Sequence, residues 1–162
     1  MIKKDFFTGK ITQNHYQFYQ AGFIDPDYTE LIMNNPEKRT YNWQDVCILI
    51  VEDDYSSYRY LEAVLRKTKA TIMHAADGKM AVEMCLKQPE IDLVLMDIQL
   101  PGIDGYEATK QIKHYRRNLP VIAQTAHALE EDRGKSMRAG CDDYIAKPIN
   151  KWRILEIINK HL

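Results

Sequence analysis

The chain has almost no net charge: 22 lysines and arginines stand against 23 aspartates and glutamates, leaving -1 at neutral pH. Nonspecific nucleic-acid binding needs a basic face to displace counterions, so this balance argues against that role, and no DNA-binding module is expected. Cysteine is scarce. Cys47, Cys85 and Cys141 are odd in number, far apart and embedded in apolar stretches, so they are expected to be small core residues rather than disulfide partners or metal ligands, in a reducing compartment. No run of 18 apolar residues exists, which excludes a membrane-spanning helix, and the start MIKKDFFTGK lacks the apolar stretch of a signal peptide. The expected location is the cytoplasm. Internal repeats and low-complexity tracts are absent too.

What is present is enough apolar content, 45% of 162 residues, for one domain of ordinary size with a short appendage. From residue 46 onward, short apolar runs alternate with amphipathic stretches, the pattern of repeated βα units on a parallel sheet. The strands are expected at 46–52, 71–76, 91–97, 120–125 and 141–147. Those at 46, 91 and 120 are apolar on both faces and should be central. Helix faces are carried by Tyr58, Leu61 and Leu65, then Ala81, Met84 and Cys85, then Ala108, Ile112 and Tyr115, and in the last helix Ile154, Ile158 and Leu162. The fourth helix, near 129–138, has few large apolar residues and should be the most weakly packed. Residues 1–45 break the pattern. They hold nine of the sixteen aromatic residues, too apolar for a solvated tail.

The first strand runs into three adjacent carboxylates, in the sequence LIVEDD. Two carboxylates about 4 Å apart repel by roughly 1 kcal/mol in water and about 4 kcal/mol at the effective dielectric of a protein surface. Something should offset that. In open parallel sheets ligands bind beyond the carboxyl ends of the strands, and there the chain delivers Glu52, Asp53 and Asp54 from the first strand, Asp97 from the third, Thr125 from the fourth and Lys147 from the fifth. A glycine-rich phosphate-binding turn is missing, since the first turn is EDDYSSYRY. A hard divalent cation such as Mg²⁺ fits the acids better. Asp97 could then act as a nucleophile toward phosphorus, with Lys147 and the metal offsetting phosphoryl charge and Thr125 donating to a phosphoryl oxygen.

These motifs, above all LVLMDIQLPGIDGYEATKQIK and VIAQTAHA, resemble the receiver domain of two-component response regulators, of the kind often attached to hybrid sensor histidine kinases. The resemblance covers residues 46–162. It implies a doubly wound, flavodoxin-like α/β fold of five βα units, strand order 2-1-3-4-5, and a signalling module that is not a kinase acting from ATP. It implies that Asp97 accepts a phosphoryl group from a phosphohistidine. It also implies that Glu52, Asp53, Asp97 and the carbonyl of Gln99 hold Mg²⁺, with Glu52 acting through water, that Lys147 pairs with carboxylate and phosphoryl oxygens, and that Thr125 and Tyr144 form the switch. A cis Lys147-Pro148 bond is expected. The implied partners are a sensor histidine kinase or histidine phosphotransfer protein and a downstream effector, with homodimerisation through the face of the fourth helix, fifth strand and fifth helix. Asp54 is expected to start a helix rather than to bind metal. Gln99 and His127 sit where this family tunes phosphoryl lifetime.

Two other classes compete. A Mg²⁺-dependent phosphohydrolase would need a general acid near Asp97, where the sequence offers Gln99; a flavin or nucleotide carrier is disfavoured by the glycine-free acidic turn. His15, His74, His114, His127 and His161 show no ligand spacing and are expected to face solvent or pack. Residues 1–45 carry neither a kinase histidine box nor an ATP lid, and are either a linker trailing a kinase's ATP-binding domain or an extension of a stand-alone regulator.

Overall fold

The computed structural model describes residues 39–126 and 130–162; most of the aromatic N-terminal segment and His127 lie outside them. The unit that carries the acids runs Tyr41–Leu162. Its strands are β1 (Cys47–Val51), β2 (Thr71–Ala75), β3 (Leu93–Asp97), β4 (Val121–Thr125) and β5 (Asp143–Ala146). Its helices are α1 (Tyr55–Leu65), α2 (Gly78–Lys87), α3 (Gly105–Tyr115), α4 (Glu130–Ala139) and α5 (Lys151–His161). All strand pairs are parallel, in the order β2-β1-β3-β4-β5. The parallel βα units are those the alternation predicts, and the doubly wound, flavodoxin-like order is the one the resemblance implies. The three strands that are apolar on both faces, β1, β3 and β4, are buried throughout.

Because side chains alternate across a strand, the sheet feeds two cores. Leu49, Val51, Val94, Met96, Val121 and Ala123 meet Ala81 and Cys85 of α2 and Ala108 and Ile112 of α3. Ile48, Ile50, Leu95, Ile122 and Ile145 meet Leu61 and Leu65 of α1 and Ile154 and Ile158 of α5. Each fully buried Leu or Ile contributes about 1.5–3 kcal/mol. Trp43, ahead of β1, closes the second core; it is 7% exposed, its N–H donates to Thr68 O at 2.6 Å, and Tyr41 lies 5.2 Å from its ring. Cys47, Cys85 and Cys141 are buried and free, as their apolar settings predict. Burial pushes the Cys85 and Cys141 thiols up to about 11.

Four helices start on a side chain that replaces a missing backbone acceptor. Asp54 accepts from Ser57 N–H at 2.7 Å, Asp77 from Met80 at 2.7 Å, Asp104 from Glu107 at 2.8 Å, and Asn150 from Trp152 at 2.9 Å. Asp54 is thus the helix-start residue expected of it. The Lys147-Pro148 bond is cis.

Two expected core positions are corrected. Tyr115 and Leu162 are 64% and 48% exposed. Tyr115 ends α3, where the next residue takes the inward path: Arg116 donates to the carbonyls of Cys85, Gln88, Pro89 and Ile91, closing the end of α2. Tyr115 is left stacked edge-on against His114. Leu162 follows the last turn of α5 as its C-cap, its backbone N–H donating to Ile158 O. Among the described residues no helix is long and apolar enough to cross a membrane.

Candidate functional site

The site lies at the carboxyl ends of the strands. Glu52 continues β1, and its main chain is held on both sides by the edge strand: its N–H donates to Ala75 O at 3.1 Å, and His74 Nε2–H donates to its carbonyl at 2.9 Å. A carbonyl only accepts, so this contact fixes the proton of His74 on Nε2. The imidazole stacks on Tyr58 of α1 at 3.9 Å. His74 was expected simply to pack or face solvent; its spacing gave no sign that it would pin the first acid.

Glu52 is 1% exposed and Asp97 4%. Between them stands Lys147, whose Nζ donates to Glu52 Oε2 at 2.8 Å and to Asp97 Oδ2 at 2.7 Å. Lys147 follows β5, and its N–H donates to Thr125 O at 2.7 Å, so the ladder carries it one residue further and sets its side chain toward the acids. Burial raises the pKa of Glu52, and the Asp97 charge adds to this against the pull of Lys147. Burial lowers that of Lys147, but hydrogen bonds to Asp97 and Glu52 outweigh it and raise it, so the lysine stays charged. The other Asp97 oxygen, Oδ1, accepts from the Gln99 backbone N–H at 3.1 Å.

One carboxylate oxygen each of Glu52, Asp53 and Asp97 lie within 4.8 Å of one another, with Asp53 exposed at the mouth. An all-oxygen set with an open, hydrated side suits a hard cation. Asp54 is turned to its cap instead. Thr125 is buried at the end of β4 and Tyr144 half-buried on β5. Ala123 pairs with Tyr144 and Thr125 with Ala146, so Thr125 and Tyr144 are diagonal neighbours on one sheet face, opposite that of Glu52, Asp97 and Lys147.

A further residue, a glycine at a helix start, shapes the site. At Gly105 a Cβ would overlap the carbonyl oxygen of Asp97 and come within 2.8 Å of Ile98 Cα. The start of α3 therefore packs directly on the backbone of the acid, which only glycine permits. The signal in the sequence was its place eight residues after Asp97, at a helix start.

Comparison with known proteins agrees with this geometry. Residues 48–159 match the response regulator receiver domain. The chain is 36% identical over 123 residues to hybrid signal transduction histidine kinase I of Dictyostelium discoideum, covering 71% of this chain and 7% of that protein. It is 32% identical over 118 residues to the sensor protein GacS of Pseudomonas syringae, covering 70% and 13%. It thus spans a small part of those kinases. Against the polar-differentiation response regulator DivK of Brucella ovis it is 34% identical over 117 residues, covering 71% of this chain and 94% of that one. Among solved structures, it resembles the receiver domain of a Pseudomonas aeruginosa sensor histidine kinase with magnesium coordinated in its active site cleft, at 38% identity and TM-score 0.66, covering 71% and 95%. It also resembles a chain of the co-crystal of the Saccharomyces cerevisiae phosphotransfer protein Ypd1 with the receiver domain of Ssk1, at 30% identity and TM-score 0.69, covering 75% and 90%.

Proposed function

We propose, from the premise that this chain belongs to the response regulator receiver domain family, that Asp97 is the phosphoryl acceptor of a two-component relay. The observation that carries this is a buried carboxylate at the end of β3, 2.7 Å from a lysine ammonium and within 4.8 Å of two further carboxylates. One oxygen of Asp97 bonds to phosphorus as the N–P bond of a phosphohistidine breaks, and the electron pair leaves on the imidazole nitrogen. Glu52, Asp53, Asp97 and the Gln99 carbonyl would hold Mg²⁺, which when bound supplies positive charge beside the phosphoryl oxygens. Lys147 offsets the remaining charge, and its short hydrogen bond orients the nucleophile beforehand. Thr125 and Tyr144, neighbours on the other face, form the switch through which phosphorylation shifts the surface of α4, β5 and α5 between two populations.

The donor is the phosphohistidine of a sensor kinase or phosphotransfer protein, as in the partnership of Ypd1 with Ssk1, in the cytoplasm; an effector or second copy meets the switched face. Residues 1–45 serve as a linker or extension to the receiver at 46–162, in a hybrid kinase or in a stand-alone regulator. Turnover of small phosphate esters would require an acid beside the nucleophile, and Gln99 is an exposed amide. The test is Mg²⁺-dependent, stoichiometric labelling by acetyl phosphate. Asp97→Asn should abolish it; persistent acid-stable label at another residue would contradict the assignment.

A further inference from the structure

Within the apolar strand β4 stands one amide, Gln124. It is wholly buried, and neither its Nε2 nor its Oε1 finds a hydrogen-bond partner among the described residues. Buried polar groups are nearly always paired, because an unmade hydrogen bond away from water costs the full desolvation of the group, and an apolar side chain of equal size avoids that cost. Gln124 is the side chain singled out in this way, and its position is specific. In the sheet register it pairs with Asp97 on β3 and Ile145 on β5, so its side chain shares the face of the acids rather than that of Thr125.

Lys147 leaves the chain just after β5 yet reaches Asp97 on β3, and β4 lies between. Its stem therefore crosses β4 on the face of Gln124. The ammonium has three N–H donors, and the structure gives acceptors for two, Glu52 Oε2 and Asp97 Oδ2. When an Asp97 oxygen is bonded to phosphorus, that carboxylate loses its charge and weakens as an acceptor, while the lysine keeps its own.

From this juxtaposition we propose that Gln124 is a positioning residue for Lys147: its Oε1 accepts from the ammonium once Asp97 is phosphorylated, holding the cation toward the phosphoryl oxygens, and is unpaired before. The inference rests on Asp97 being the acceptor. It predicts a division of effects that a purely structural glutamine would not show, since removing the amide relieves the resting state and weakens the phosphorylated one.

The test uses the full chain, with Gln124→Met as an apolar residue of matching length and Gln124→Leu as a second variant. Without ligand, both should melt at or above the wild-type temperature, and Mg²⁺ alone should bind as in wild type. With Mg²⁺ and beryllofluoride as the phosphoryl mimic, affinity should fall about tenfold, the loss expected for one hydrogen bond to a charged group. The side-chain NH₂ resonances of Gln124, identified by their absence in Gln124→Met, should move on adding beryllofluoride to the wild type. Unchanged beryllofluoride affinity, lower melting temperatures without ligand, or weaker binding of Mg²⁺ alone would each overturn the proposal. If wild type binds no beryllofluoride at all, the phosphoacceptor reading fails and takes this inference with it.

Discussion

Lys147 Nζ and Asp97 Oδ2 lie 2.7 Å apart across 50 residues of sequence, and Glu52 shares the same ammonium. Removing one partner of a buried ion pair leaves an uncompensated charge and costs about 3–5 kcal/mol. Lys147→Ala should lose stability of that order in urea denaturation with a chelator present, tempered by protonation of Glu52, whose burial already favours its neutral form. Mg²⁺ should restore much of the loss, because the acids that bind it remain, while phosphorylation should no longer shift the α4, β5 and α5 face. Equal stability of variant and wild type in chelator would refute the pairing.

Gly105 should tolerate no side chain. The added Cβ of Gly105→Ala would press on the Asp97 carbonyl, and overpacking of this kind costs about 1–3 kcal/mol. The relief available is to move α3 or Asp97, so labelling by acetyl phosphate should slow along with the loss of stability. A variant with wild-type melting and labelling would show that the close approach constrains nothing.

Asp53 and Asp54 are adjacent and differ in what they hold. The Ser57 backbone N–H and hydroxyl hold the Asp54 carboxyl below the usual range, and the N–H bond makes it the cap of α1. Asp54→Ala should lower the melting temperature by a few degrees and leave Mg²⁺ affinity unchanged. Asp53→Ala should do the reverse. Isothermal titration with Mg²⁺ beside thermal melts separates the two, and a metal defect in the Asp54 variant would make that residue a ligand.

At the start of β5, burial acts to raise Asp143, but hydrogen bonds from His161, Lys160 and the Tyr144 N–H outweigh it and hold the carboxyl at about 2. The folded value is below the unfolded one, about 3.9. The contribution, about 2 kcal/mol, is therefore present above pH 4 and lost as pH falls toward 2. Asp143→Asn should flatten the stability curve in that window alone. An unchanged acid limb would rule out this linkage.

Which strands are central was legible because three are apolar on both faces and two are not, while their order followed from the family resemblance; the acids were legible because each follows an apolar run that must end at one edge. Helix faces were less so near their ends. Period alone put Tyr115 and Leu162 inward, but a residue in the last turn can overshoot the sheet, and Arg116 took the inward path to four carbonyls. The sharing of Lys147 between Glu52 and Asp97 depends on strands 95 and 50 residues apart in sequence. No local pattern encodes that. The roles of His74 and Gly105 are likewise set by atoms that come near only when the chain is folded.

Trp43 changes where this module can be cut and grafted. Its indole seals the floor of the core beneath β1, yet it precedes the residues, 48–159, by which the family is recognised. A transplant starting at the first strand would remove that seal from the core and lose about 3–5 kcal/mol, the usual cost of deleting a buried tryptophan. One starting at Tyr41 would carry its own seal, so a sensor engineered from this chain should splice upstream of that aromatic pair.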